Sequence, residues 1–204
     1  MSYAASVVGR YAQQAAASGE GEVRAAFRRS FYLWFPGNRY ACVGDTSLGC
    51  GPLNALVPDF RMPSLGERVA LDAAGARLWA PAPLSHDAAP NLRALQGAAR
   101  GRVPREGLGC LVVDAHNSLS GHAQPALDAI ERWLEPRLAR TSAISGAHLA
   151  AAAAGEGHEA LHACLQALFS ADADWPRVLA ELTNVGHTSG WDSLAGLVAV
   201  AKLS

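Results

Sequence analysis

Lysine is almost missing from this chain. Of seventeen cationic side chains sixteen are arginine, and Lys202 is the only lysine. Chemistry that needs a Schiff-base lysine or the lysine of a phosphate-binding loop therefore has almost no candidate. Eighteen acidic groups balance the cations to a formal charge of −1, so the basic footprint of a nucleic-acid binder is also missing. The four cysteines, Cys42, Cys50, Cys110 and Cys164, form no C-x-x-C pair, which excludes a zinc ribbon. No apolar run approaches the ~20 residues of a membrane helix. The first residues, Met1 to Val8, lack the basic leader and apolar core of a secretory signal. The expectation is a cytoplasmic protein with reduced thiols acting as small core hydrophobes, no nucleic-acid or membrane partner, and no cofactor.

Half of the 204 residues are apolar, enough for a core that needs no disulfide or metal. Tyr3, Val7 and Tyr11 recur at helical spacing behind Ser2 and predict a first helix over about 3–17. From Ser30 the period changes to two. Phe31, Leu33 and Phe35 alternate with Tyr32 and Trp34, Pro36-Gly37-Asn38 turns, and Arg39–Val43 returns as a hairpin. A strand at Leu53–Val57 and a second hairpin, Glu67–Asp72 with Ala76–Trp79, complete a small antiparallel, barrel-like sheet. After Pro81-Ala82-Pro83 alanine and leucine dominate and helices are expected behind Pro90, Pro125 and Pro176, over about 158–169, and from Trp191 to Leu203. Residues 108–113 fit a buried strand or a helix start. The fold class is α+β: a helix and sheet region over 1–83, then a mainly helical region over 84–204, together one compact unit.

Three segments carry chemistry. His158-Glu159-Ala160-Leu161-His162 is a literal H-E-x-x-H; on a helix its two imidazoles share a face and could bind zinc, with Glu159 activating water and Glu181 as a distant third ligand. The other reading gives Leu161, Cys164, Leu165 and Leu168 a buried stripe that the histidines merely flank.

Asn184 to Gly196 is a polar, glycine-punctuated turn entering the last helix. Such a turn can present backbone N–H groups at the positive end of a helix dipole, where phosphate or carboxylate binds. Gly186 and Gly190 would admit the anion, Thr188 and Ser189 would add hydroxyls, and His187 could donate. Alternatively, Ser189 and Asp192 cap the helix for each other.

The run Asp114-Ala115-His116-Asn117-Ser118-Leu119-Ser120-Gly121-His122 is either a binding loop, with Asn117 as a ligand group, or an ordinary capping loop. Gly51-Pro52-Leu53-Asn54 is a quieter candidate: a tight turn that closes the sheet or presents Gly51 and Asn54 to a cleft.

The order of these parts resembles a bacterial family known mainly as a domain of unknown function, which contains the H subunit of the oxamate carbamoyltransferase of allantoin catabolism. The resemblance rests on Arg29-Ser30-Phe31-Tyr32-Leu33, on Gly51-Pro52, and above all on Gly186-His187-Thr188-Ser189-Gly190-Trp191-Asp192-Ser193-Leu194-Ala195-Gly196. The last is close to the family's G-L-T-P-S-G-D-D-x-L-A-G. The proline is absent here, His187 replaces the leucine and Trp191 the first aspartate, so a role borrowed from the aspartate pair rests on Asp192. The resemblance implies a part in carbamoyl transfer or related carboxylate metabolism, alongside larger partner subunits similar to acyl-CoA-synthetase-type proteins.

Three functions follow as expectations. The leading one is a metabolic protein holding carbamoyl phosphate or a short carboxylate at Gly186–Asp192, with His187 and Asp192 as candidate catalytic groups. The second is a zinc hydrolase built on His158, Glu159 and His162. The third is a non-catalytic subunit or scaffold, with Tyr32 and Trp34 as interface.

Overall fold

The computed structural model describes residues 1–83, 90–108, 110–113, 136, 140–186 and 188–201, and for 199–201 the backbone only. The chain divides into two compact units that interleave in sequence. The first unit comprises Met1–Pro81 and Trp133–Glu159, the second Ala82–Arg132 and Ala160–Ser204.

The first unit holds an eight-stranded sheet: β1 (Ser2–Ala4), β2 (Val7–Gly9), β3 (Glu20–Ala26), β4 (Ser30–Phe35), β5 (Arg39–Gly44), β6 (Asn54–Leu56), β7 (Arg68–Asp72) and β8 (Arg77–Trp79), in spatial order β1-β7-β3-β4-β5-β6-β2-β8. This is the strand-rich half of an α+β chain, as the alternation of apolar residues indicated. The hairpin of β4 and β5 forms with Tyr32 opposite Cys42, and the strand expected at 53–57 is β6.

The strands β7 and β8 exist, yet they do not form the second hairpin. β7 pairs with β3 and β1, and β8 with β2. Nor is the sheet purely antiparallel, since β1–β7, β2–β8 and β5–β6 run parallel.

The N-terminal helix is likewise shorter than its spacing suggested. Residues 2–4 and 7–9 are strands, and α1 occupies only Arg10–Ala16. Tyr3 and Val8 enter the sheet's core from separate strands, so the spacing of Tyr3, Val7 and Tyr11 is not that of one helix face.

This small departure decides the shape of the sheet. β1 lies at one edge and β2 six strand positions away, about 29 Å across a flat sheet at ~4.8 Å per strand. Only Ala5 and Ser6 join them, and three Cα steps reach at most about 11 Å. The sheet must roll until its edges meet. Ala5 N–H donates to Asp72, the last residue of β7, and the next residue, Ser6, donates to Leu56 of β6 and accepts from Arg77 of β8. One extended segment thus seams both sides. Inside lie Val8, Val23, Phe31, Leu33, Phe35, Val43 and Val69, with Ala12 and Ala15 of α1 packed among them.

Helix α2 (Leu92–Ala99) and the single turn α3 (Cys110–Val113) belong to the second unit. Helix α4 (Ala143–Ala153) belongs to the first. Next come α5 (Glu159–Leu168), α6 (Trp175–Thr183) and α7 (Ser189–Ala201). The ambiguous 108–113 segment thus begins a helix, while the helix expected behind Pro125 lies outside the described residues. In the second unit, Leu95, Ala99, Val112, Cys164, Leu168, Val178, Leu179, Leu182, Trp191, Leu194 and Val198 share one core. Cys42, Cys50 and Cys164 are buried free thiols, and Cys110 is exposed. No described helix is long and apolar enough to cross a membrane.

Candidate functional site

The turn before α7 is arranged around Asp192. Trp191, Leu194, Ala195 and Val198 bury one helix face, which leaves Asp192 half-buried beside it. Thr188 donates its hydroxyl to Asp192 Oδ2 at 2.9 Å, and the N–H of Leu108 donates to Oδ1 at 2.5 Å. A carboxylate on the first turn of a helix is stabilised by the positive end of the dipole. Here it also ties the loop over 101–108 to that turn. Gly107 has φ +78°, and a Cβ on it would lie 2.5 Å from Asp192 Oδ1 and 3.0 Å from the Thr188 Cβ. Glycine is therefore required for so close an approach.

The capping partner of Asp192 is Thr188, in place of the Ser189 expected from spacing; Ser189 is exposed, with its hydroxyl turned toward Gly186 (φ +64°). The amides that sequence offered to an anion are partly engaged by the chain itself. Gly190 N–H donates to Val185 at 3.0 Å and Asp192 N–H to Thr188 at 2.9 Å. A Cβ on Gly190 would fall 2.4 Å from the carbonyl oxygen of Leu182, so this glycine seats α7 against the end of α6. Trp191, at the place of the signature's first aspartate, is buried in the core. His187 and Asn117, with the rest of the 114–122 run, lie outside the described residues.

Gly51 and Asn54 belong to the first unit, where they shape the turn between β5 and β6. The carboxamide of Asn54 donates to Gly49 O at 2.9 Å, and its N–H donates to Gly51 O at 3.1 Å. The carbonyl of Pro52 then accepts from Tyr11 at 2.9 Å and Ala12 at 3.2 Å, which satisfies orphan donors at the start of α1. A Cβ on Gly9 would sit 2.0 Å from Gly51 O.

The H-E-x-x-H segment starts one residue before its helix, with Glu159 as first helical residue. His158 Nε2 lies 3.1 Å from Leu48 O, Glu159 N–H donates to Cys50 O at 2.9 Å, and Arg10 pairs with Glu156 at 2.5 Å. Residues 156–159 are thus clasped to the 48–50 turn and to α1. Gly49 (φ +84°) has no room for a Cβ beside the His158 ring. Glu181 is ion-paired to Arg177 at 2.7 Å. Among the described residues no three His, Cys, Asp or Glu groups gather to hold a metal. Burial pushes the Cys50 thiol up to about 11, reinforced by Glu159 and opposed by Arg77. Cys164 is likewise pushed up to about 12, by burial first and then by Glu181.

One cluster escaped the sequence reading. On the outer face of β4 and β5, Tyr32 Oη lies 2.8 Å from His148 Nε2 on α4, with the rings edge to face. Cys42, opposite Tyr32, is pushed up to about 11 by burial, against hydrogen bonds from Tyr32 and Ser30. Burial likewise raises Tyr32 and lowers His148. Trp34 packs with Tyr40, Ile144 and Ala147 and lies under the Arg24 guanidinium, 4.8 Å from its ring centre. Tyr32 and Trp34 are therefore a second packed layer under α4 and not the open interface that the scaffold expectation gave them. Period-two alternation places Ser30, Tyr32 and Trp34 on one face, but α4's place over them is tertiary.

Residues 108–201 match the family described as oxamate carbamoyltransferase subunit AllH. Over that stretch the chain is similar to this family. The match holds just under half of the chain and includes the whole turn from Gly186 to Asp192. The correspondences at Arg29–Leu33 and Gly51-Pro52 fall outside it. Comparison with curated proteins and with solved structures gave no match.

Proposed function

We propose that this AllH-family chain is a subunit of a carbamoyltransferase-type assembly, and that it takes a small anion, carbamoyl phosphate or a short carboxylate, at the Gly186–Asp192 turn. The observation that carries the reading is the family match across that turn, where Asp192 organises both the helix start and the 101–108 loop. The family's description as a carbamoyltransferase subunit supports partner chains. Buried free thiols fit a reducing, cytoplasmic setting.

With both carboxylate oxygens engaged, Asp192 acts as a positioning residue. Gly190 supplies close packing and the Thr188 hydroxyl is given to Asp192, so the side-chain donor offered to the anion is the Ser189 hydroxyl, with His187 as the further candidate from the sequence. The engagement of Asp192 also favours a second reading, in which this subunit binds substrate while the reaction runs on a partner.

The test is calorimetric titration of the full chain with carbamoyl phosphate and with oxamate, followed by a carbamoyl-transfer assay alone and with co-expressed partner subunits. Binding with turnover by the isolated chain supports a catalytic subunit. Binding with turnover only in the assembly supports the second reading. No binding in either state overturns both.

A further inference from the structure

We propose that Arg102 and Arg105, on the loop tied down by Asp192, form the arm that grips the phosphoryl group of a small phosphorylated substrate. This deepens the reading above and rests on it.

The chain as a whole is near neutral, yet residues 93–108 carry four arginines, Arg93, Arg100, Arg102 and Arg105, against one acid, Glu106. All four arginines are exposed. Four arginines elsewhere have anionic partners, Arg10 with Glu156, Arg24 with Glu22, Arg68 with Glu20, and Arg177 with Asp174 and Glu181, and Arg29 and Arg39 donate to neutral oxygens. None of the four in this stretch has an ion pair or side-chain hydrogen bond among the described residues. Gathering like charges without counter-charges works against the compact state. The negative end of α2 accounts for a cation at Arg100, just beyond Ala99. It does not account for Arg105, which lies well past that helix.

The loop is also held in place. Gly101 (φ +75°) and Gly107 (φ +78°) bend it at either end, and Leu108 N–H is fixed to Asp192 on the first turn of α7. Arg105 is three residues from that anchor, about 11 Å of chain at most. Its side chain can therefore serve the same locality as Thr188 and Ser189. Backbone amides of this turn are partly engaged, whereas guanidinium groups bring their donors in a planar fork that matches phosphate bidentately. The near absence of lysine is consistent with this choice of cation.

Titration of the full chain with inorganic phosphate, carbamoyl phosphate and acetate tests the assignment, with Arg102→Ala, Arg105→Ala, the double variant, Arg105→Lys, and Arg68→Ala as control. Because these side chains are exposed, unchanged melting curves should verify folding. Each alanine substitution should weaken binding of the phosphorylated ligand about tenfold or more, Arg105→Lys should recover only part, and Arg68→Ala should leave it unchanged. A double variant that binds phosphate like the parent overturns this inference and leaves the anion reading standing. So does a parent chain that binds acetate but neither phosphate. A parent that binds none of the three removes both.

Discussion

Asp192 Oδ1 accepts the N–H of Leu108 at 2.5 Å across 84 residues of sequence. The relationship converts a capping residue into a long-range tie, because the same carboxylate accepts the Thr188 hydroxyl through Oδ2. Hydrogen bonds to a charged acceptor contribute roughly 1.5–3 kcal/mol each when shielded from water, and half-burial places these at the lower end. Asp192→Ala should cost about 1–2 kcal/mol, read as a lower urea midpoint at unchanged slope. Asp192→Asn keeps an acceptor for Leu108 and should lose less. Equal midpoints for all three proteins would show that the tie adds nothing to stability.

Two glycines of the same helix should respond oppositely. Gly190 has the Leu182 carbonyl 2.4 Å from where a Cβ would stand, while Gly196 has nothing within 4 Å. Backbone cannot yield as a flexible side chain does, so Gly190→Ala should destabilise by about 1–3 kcal/mol. Gly196→Ala should stabilise by up to about 1 kcal/mol through helix propensity. Gly9→Ala, facing Gly51 O at 2.0 Å, should fall with Gly190→Ala. Thermal and urea melts of the three variants decide this, and a Gly190→Ala protein as stable as the parent would refute the packing role.

These contrasts show what sequence could reveal. The alternation in Ser30–Phe35 and the turn at Pro36-Gly37-Asn38 are local, and they specified the β4–β5 hairpin. Proline and capping signals at Asn91, Ser142 and Asp174 are local too; each side chain accepts from the amide three residues on. Ser2–Gly9 was misread because Tyr3, Val7 and Tyr11 satisfy a helical period by accident, while the burial of Tyr3 and Val8 depends on strands dozens of residues away. The turn before α7 was legible as a glycine-rich helix entry. Its real partner, Leu108, was not, since no pattern within thirteen residues encodes a bond to the other end of the unit. The H-E-x-x-H match illustrates the converse. A regular expression fixes spacing along the chain, but His158 precedes the helix and meets Leu48.

Acid should loosen the layer under α4. His148 is held below its ordinary value of 6.5 by burial and then by His158, and it partners Tyr32. The unfolded chain therefore binds more protons than the native one between the lowered value and 6.5, so stability rises with pH across that window. The contribution is fully present above 6.5 and is lost as pH falls through the window. Asp45, lowered chiefly by its hydrogen bond to Ser47, acts with the same sign but only below its ordinary 3.8. Urea midpoints measured from pH 7.5 to 4.5 should fall toward acid, and His148→Gln should flatten the decline that sets in below the ordinary value of 6.5. A parallel decline in the variant would assign the effect to other groups.

The last prediction separates a clasp from a metal ligand. His158 lies against Leu48 O and beside Gly49, and Glu159 N–H holds Cys50 O, so His158→Ala should remove a side chain that fixes residues 156–159 to the 48–50 turn. A loss of about 1–2 kcal/mol is expected from one hydrogen bond and the lost packing. Because Glu181 is engaged by Arg177, the loss should be the same with and without a chelator, and His162→Ala should not share it through any common ion. Melts of parent, His158→Ala and His162→Ala, each with zinc and with EDTA, test the point. A parent whose midpoint drops on chelation, with both variants insensitive to it, would restore the zinc reading and make the clasp a by-product of metal coordination.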